Sequence, residues 1–355
     1  MQILFVVPYP HGKAPSQRFR FEQYLDLLAA EGHSYKVAPF VSDSTWAILY
    51  KPGHTLAKAL GIVGGFLRRI GLLFSVSKYD FVFLHREASP IGPPLFEWVM
   101  AKVLGKKIIY DFDDAIWIPN TSEANKIVAG LKWHHKVASI CRWAYKVSCG
   151  NAYLRDYARQ YNANAIVNPT TIDTVHLHNR VRDQQPAERM VIGWTGTHST
   201  LKYLEQVVPV LAKLEQHYDF EFQVISNQPP NLPLKSLVYR PWRKDTEIED
   251  LLRFHIGLMP LEDDAWAKGK CAFKALQYMA LGVPPLVSPV GMNTEVVQDG
   301  QNGFVCATAA DWEASLEMLL KDASLRVRLG KAARQTVEQR YSVTANWRNF
   351  RTLFT

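Results

Sequence analysis

Short apolar runs alternate with longer amphipathic stretches along both halves of the chain, a rhythm that predicts βαβ units and parallel sheets. In the first half, Ile3 to Val7 reads as a buried strand, and Phe19 to Ala30 follows as an amphipathic helix closed by Gly32. Further strands are predicted at Val37 to Phe40, Phe81 to Leu84, Lys107 to Tyr110, Lys146 to Cys149 and Ala165 to Val167. From Thr171 to Glu188 the chain is polar, with no apolar period, and reads as a linker. The rhythm restarts with a strand at Met190 to Trp194 and a helix from Tyr203 to His217. Strands at Phe220 to Ile225, Ile256 to Met259 and Pro285 to Val287 follow, and Ala323 to Phe354 reads as helical except near Tyr341 and Ser342.

A chain of 355 residues is long for one core and comfortable for two. Apolar residues at 48% and charged residues at 21% fit a folded chain rather than a disordered one. The opening Met1 to Pro8 lacks the basic start, long apolar run and small-residue cleavage site of a secretory signal. Four scattered cysteines, without metal-ligand spacing, suit a reducing compartment, so the expected location is the cytoplasm. A net charge of +8 suits nucleic acid, an anionic membrane surface or phosphorylated substrates. The basic residues are dispersed and no helix-turn-helix, zinc-finger or RNP-type pattern is present, which argues against nucleic acid.

The run from Lys268 to Pro284 holds the most specific chemistry. A loop enters a helix near Cys271, so first-turn N–H groups and the positive helix end would face an anion such as a diphosphate. Lys270, Lys274 and Gln277 fall at i, i+4 and i+7 on one stripe, while Phe273, Leu276 and Ala280 form another suited to packing on a sheet. Gly282 would end the helix as a left-handed cap, and Pro284 would block its continuation. The other reading of the lysines is a solvated face of an ordinary surface helix.

This run, continued through Gly291, Asn293, Thr294 and Glu295 to Phe304, resembles the donor-binding region of GT-B glycosyltransferases of family 4, glycosyl transferases group 1. The usual form there is E-G-F-G-x-x-x-x-E-A-M-A-x-G-x-P, a strand, then G-G-x-x-E. The resemblance implies two facing Rossmann-like α/β domains with parallel sheets and a cleft between them. It also implies a C-terminal helix, with Trp347, Phe350 and Phe354, that returns to the N-terminal domain. The expected domains are 1–186 on the acceptor side, 187–341 for the nucleotide sugar, and 342–355 as the returning helix.

Both carboxylates of the family's E-x7-E pattern are missing, replaced by Gly269 and Gln277. An amide carbonyl still accepts hydrogen bonds from ribose hydroxyls, so Gln277 keeps that role, whereas Gly269 offers only backbone. The stretch Gly193 to Ser199 resembles the family's strand and glycine loop, with Thr197 where an arginine is usual. Lys270 and Lys274 would then supply the missing positive charge at the diphosphate. Gly196 either lets backbone approach the phosphates or makes a plain tight turn. Glu295 matches the acidic residue of the G-G-x-x-E loop or is a first-turn glutamate favoured by the helix dipole, and Asn293 or Thr294 would cap that helix. Tyr239 to Lys244, with Arg243, sits where the family places the loop around the base.

In the first half, the Pro/Gly loop from Pro8 to Ala14 leads into a helix with Ser16 as its expected cap and Arg18 as an anion contact, while a merely solvent-exposed side chain is one reading of Arg20. His85 and Arg86 follow one strand and Asp111, Asp113 and Asp114 follow the next, at the strand ends where open α/β sheets place ligands. Three carboxylates so close repel one another unless cations, substrate or hydrogen bonds offset the charge. Asp113 aligns where many family members carry a histidine near the transferred sugar, so His85, Asp111, Asp113 and Asp114 are the catalytic candidates. The alternative for Asp111 and Asp114 is capping of the strand-to-loop turn.

The resemblance further implies a retaining transfer without a metal or another cofactor, from a nucleotide-diphosphate sugar to a glycan or lipid-linked saccharide. In it the leaving diphosphate helps deprotonate the acceptor hydroxyl, and bacterial surface polysaccharide or lipopolysaccharide synthesis is the expected setting. The alternatives are an inverting transferase, an epimerase, or a non-catalytic sugar-nucleotide-binding subunit, the last suggested by the missing carboxylates. From Leu56 to Phe74 the chain is apolar with basic interruptions; Lys58, Arg68 and Arg69 argue against a transmembrane span. That segment is either a helix lying on the inner face of an anionic membrane or an ordinary sheet-covering helix.

Overall fold

In a computed structural model of the chain, the structure describes residues 1–119, 132–184 and 189–355. Two compact units emerge: residues 1–170 together with 347–355, and residues 171–346. Each is built on a six-stranded, all-parallel sheet.

The first unit holds β1 (Gln2–Val7), β2 (Ser34–Pro39), β3 (Phe81–His85), β4 (Lys107–Phe112), β5 (Lys146–Cys149) and β6 (Ala165–Val167), in the order β2-β1-β3-β4-β5-β6. β1 and β3 are buried along nearly their whole length because helices cover both faces of a parallel sheet, which is why they read as unbroken apolar runs. Strand order reverses between β1 and β3, the position where open sheets bind ligands beyond the C-terminal strand ends. The helix expected from Phe19 to Ala30 is three pieces: Pro15–Arg20, a 3-10 turn at Glu22–Tyr24, and Leu25–Ala30. The break falls at Phe21, which leaves helical geometry and stacks on Phe5 at 5.0 Å, close to Phe83 at 5.4 Å. The chain's last residues belong to this unit, with Phe350 stacked on Tyr24 at 4.2 Å and Phe354 against Phe81.

The second unit holds β7 (Met190–Thr195), β8 (Phe220–Ser226), β9 (Leu237–Pro241), β10 (Ile256–Met259), β11 (Pro285–Val287) and β12 (Phe304–Val305), in the order β12-β11-β10-β7-β8-β9. Its reversal lies between β7 and β10. The helix expected from Tyr203 to His217 starts earlier, as a 3-10 helix His198–Gln206, and resumes as Val208–Leu214 with Pro209 in its first turn.

The boundaries differ from the sequence expectation. The polar stretch after Thr171 packs into the second unit rather than linking: Ile172 donates to the Tyr341 carbonyl and is buried, and Arg334 donates to the carbonyls of Thr174, His178 and Ala280. Polar side chains and an arginine do there what an apolar period does elsewhere. Residues 185–188, the end of the predicted linker, lie outside the described residues. The helix Val343–Arg351 joins the first unit from Trp347 onward.

Candidate functional site

In the first unit, the C-terminal ends of β3 and β4 hold two charge clusters. The inner one is fully buried. Asp111 at the end of β4 receives Nη2 of Arg20 at 2.5 Å, Nε of Arg20 at 3.3 Å, Nδ1 of His85 at 2.8 Å and the Ser148 hydroxyl at 2.6 Å. Arg20 also donates to the Asn168 carbonyl. Burial alone would raise the Asp111 pKa; the Arg20 charge and the His85 hydrogen bond outweigh it and hold the carboxyl well below the usual range. The solvent-exposed reading of Arg20 therefore does not hold. Its guanidinium sits 91 residues in sequence from the carboxylate it neutralises. Nε2 of His85 is buried without a hydrogen-bond partner among the described residues.

The outer cluster is partly open. Arg86 follows β3 with φ +60, a left-handed conformation that is strained for any residue with a Cβ. What holds it is double engagement: its N–H donates to the Asp111 carbonyl at 2.7 Å, and its guanidinium reaches Asp113 at 2.8 Å and Asp114 at 2.7 Å. Burial raises the Asp113 pKa, but the Arg86 charge prevails and lowers it. Asp111, Asp113, Asp114, His85 and Arg86 are thus brought together, and their mutual repulsion is offset by arginines within the same unit. Capping of the turn is not how Asp111 is used.

The loop after β1 is stapled from the following helix. Gln17 accepts from the Tyr9 N–H at 2.8 Å and donates to its carbonyl at 2.9 Å, and Glu22 accepts the Gly12 N–H at 2.8 Å. Ser16 does not cap that helix: the cap position is Ala14, without a side-chain bond, and Pro15 starts the first turn. Arg18 is buried with its guanidinium 5.0 Å from the Phe19 ring.

In the second unit the sheet reverses between β7 and β10, and Lys274 is the expected donor-site side chain that reaches a β7 residue, Trp194. Gly193 and Gly257 pair in register, and a Cβ on either would strike a ring, Phe254 at 2.2 Å or Tyr278 at 2.3 Å. The two glycines form a trough in the sheet into which these rings settle. β7 and β10 pair only through Ile192 and Gly193, and beyond that the Tyr278 hydroxyl accepts from the Thr195 N–H at 3.0 Å and donates to the Leu258 carbonyl at 3.3 Å. Tyr278 thereby satisfies backbone groups where the ladder opens. The sequence reading passed over it, although two glycines at strand positions were the available signal.

Gly196 just after β7 is neither a left-handed turn nor empty space: a Cβ there would lie 2.5 Å from the Trp194 ring. Its neighbour Thr197 is exposed, with its hydroxyl 2.8 Å from that of Ser199. The helix Phe273–Ala280 starts after Ala272 in left-handed geometry, φ 51, so Lys270 precedes the helix rather than sharing a stripe with Lys274. Lys274 stands 5.5 Å over the Trp194 ring and Lys270 5.8 Å over Trp266, geometry in which the ring face attracts and orients the cation. Gln277 is buried and Phe273 partly so. Gly282 adopts φ +68 at the helix end, as its sequence position predicts.

Gly291, with φ +54, places its backbone so that a Cβ would meet the Lys268 carbonyl at 2.8 Å. The glycine loop thus abuts the turn that precedes the helix, and Glu295 lies exposed in the first turn of Asn293–Val296. Neither Asn293 nor Thr294 caps that turn; Asn293 donates instead to the Ser288 carbonyl at 3.0 Å. Arg243 pairs with Asp245 at 2.6 Å on the surface, and Tyr239 to Pro241 are an edge strand rather than a loop.

Residues 268–336 match the family model for glycosyl transferases group 1, the same segment that carries the resemblance and the lysines. N-acetyl-alpha-D-glucosaminyl L-malate synthase of Bacillus anthracis is 26% identical over 153 residues. That match covers 40% of this chain, which spans about two-fifths (39%) of the relative's length. Sucrose-phosphate synthase from Thermosynechococcus elongatus superposes with a TM-score of 0.71 at 15% identity, covering 100% of this chain and 99% of that one. Anabaena HepE in complex with UDP-glucose gives 0.65 at 15% identity over 99% of each. The fold is the GT-B arrangement of two Rossmann-like domains.

Proposed function

We propose that the chain is a glycosyltransferase that moves a sugar, with retention, from a nucleotide-diphosphate sugar to a glycan or lipid-linked saccharide in bacterial surface polysaccharide synthesis. The observation that carries the reading is the coincidence of the family-matched segment with the reversal point of the second sheet. There Lys274, the backbone at Gly196 and Thr197, and the first-turn amides of Phe273–Ala280 gather. HepE binds UDP-glucose, so a uridine donor is the first to try.

In this reading the site's work is electrostatic. Lysine and helix-end amides stabilise charge developing on the leaving diphosphate, where preorganised donors accelerate reaction most. The diphosphate oxygen takes the proton of the acceptor hydroxyl as the new glycosidic bond forms, and no cofactor or metal takes part. On the first unit, Arg86 holds Asp113 and Asp114 in place for the acceptor sugar, while Asp111 and His85 position that loop from beneath. A peripheral position at an anionic membrane surface belongs to the same reading.

The test is turnover of UDP-, GDP- and dTDP-sugars with a bacterial lipid-saccharide fraction, with the anomeric configuration of the product read by NMR. Retained configuration is the expected result. Inversion would favour an inverting transferase. Tight nucleotide-sugar binding without transfer or slow donor hydrolysis would favour a non-catalytic subunit, a reading that Gly269 and Gln277 at the usual carboxylate positions keep open.

A further inference from the structure

The helix Thr55–Leu73 is built inside out. Its inward side is made of glycines, one arginine and, near its end, Leu72. A Cβ on Gly61 would strike Thr45 at 2.4 Å, one on Gly65 would strike Phe40 at 2.5 Å, and the helix therefore lies close against its unit. Arg69, buried on the same side, donates to the carbonyls of Ala88 at 2.7 Å, Ala38 at 2.9 Å and Val7 at 2.7 Å, satisfying chain at and just beyond strand ends. That half of the surface is a sheet-end cover, as one of the two sequence readings had it.

On the outward side, Leu56, Leu60, Val63, Leu67, Ile70 and Phe74 recur every three or four residues and form one continuous stripe, each 48 to 85% exposed. An amphipathic surface helix normally turns such a stripe inward. Among the described residues no helix is long and apolar enough to cross a membrane, so the stripe is not part of a span.

Charge identifies the occupant. Between Asp43 and Asp80 the sequence has no acidic residue, whereas Lys51, Lys58, Arg68 and Lys78 flank the stripe. The neighbouring helix Leu95–Trp98, reached through Phe66 and Phe96 at 6.1 Å, adds exposed Leu95 and Trp98. The nearby acids are Asp43, at the start of the helix that Gly61 packs against, and the buried Glu97; apolar side chains, a tryptophan and an excess of cations are the complement of an anionic bilayer surface, where acyl chains take the stripe and headgroup phosphates meet the lysines.

We infer that the outward stripe of Thr55–Leu73 is a membrane-docking surface that lies in the headgroup region of an anionic leaflet. The inference deepens the proposed function by naming the surface that brings the enzyme to a lipid-linked acceptor. Its test reads lipid binding alone, so the two fail separately.

The full chain is sedimented with vesicles of phosphatidylethanolamine and phosphatidylglycerol, or of phosphatidylcholine alone, at low and high salt. The comparison is with Leu60→Glu/Leu67→Glu, whose positions are exposed and whose folding is checked by thermal melting and by binding of nucleoside diphosphate. The expected result is binding to the anionic vesicles, about tenfold or more weaker for phosphatidylcholine and for the variant, with nucleotide binding unchanged. Three results would overturn it: wild type remaining in the supernatant with anionic vesicles, equal binding by the folded variant, or a wild-type dimer that the variant converts to monomer without any vesicle binding.

Discussion

At the end of β4, Asp111, Asp113 and Asp114 are met by Arg20, His85 and Arg86 at distances of 3.3 Å or less, mostly away from solvent. The end of β7 is assembled from different material: glycines with no room for a Cβ, backbone amides, and Lys274 resting on the Trp194 ring. The first arrangement commits its charged side chains to one another across up to 91 residues of sequence. The second sets partly exposed side chains beside glycines that admit no Cβ. Changes at β4 should accordingly show in stability, and changes at Lys274 in ligand affinity.

The largest effect expected is for Asp111→Ala, which leaves the Arg20 guanidinium buried without its carboxylate; urea unfolding should report a loss of about 3–5 kcal/mol. The double variant Arg20→Met/Asp111→Leu should recover a large share of that loss, since it removes both charges together. A loss under about 1 kcal/mol for the single variant would break the contrast between the two strand ends. Next comes Gly193→Ala, which pushes a methyl into the Phe254 ring and should cost about 1–3 kcal/mol in the same measurement. A smaller and more specific effect separates two replacements of Arg86. Both lose the carboxylate contacts, but glycine accepts φ +60 without strain, so Arg86→Gly should be more stable than Arg86→Ala by about 1 kcal/mol.

The last expectation concerns pH. Burial, with help from Arg182 and Arg326, pushes His255 down to about 4 from 6.5, and its Nδ1 accepts the Val191 N–H at 3.0 Å. Because the folded value lies below the unfolded one, this stabilisation is complete above pH 6.5 and is lost as pH falls toward 4. Asp111, held well below the usual carboxylate range, keeps its contribution through that same window. His255→Asn should flatten the slope of unfolding free energy between pH 6.5 and 4, and an unchanged slope would show that another group is responsible.

Of the twelve strands among the described residues ten were legible, most of them because parallel strands buried on both faces read as apolar runs between turn residues. β9 and β12 were not: both are partly buried edge strands, and β12 is only two residues long, too short for an apolar run. The stretch after Thr171 misled because its burial is made by Arg334 reaching backbone carbonyls, and polarity alone does not distinguish that from a linker. At the sites, the acidic strand end and the lysine segment were visible as local patterns. Arg20 was invisible as their partner, since pairing across a sheet leaves no trace in local spacing. The expected lysine stripe failed because the helix starts at Phe273, two residues later than the loop suggested.

The proposed function requires that the β7/β10 reversal of the second unit hold a nucleoside diphosphate through Lys274 and the adjoining main-chain amides. Titration calorimetry of UDP, GDP and dTDP against the wild-type chain and Lys274→Ala tests it most directly. Saturable binding of at least one, weakened about tenfold or more by a substitution that leaves the unliganded melting temperature in place, is the predicted result. Failure of all three to bind, or equal affinity for the variant, would contradict it.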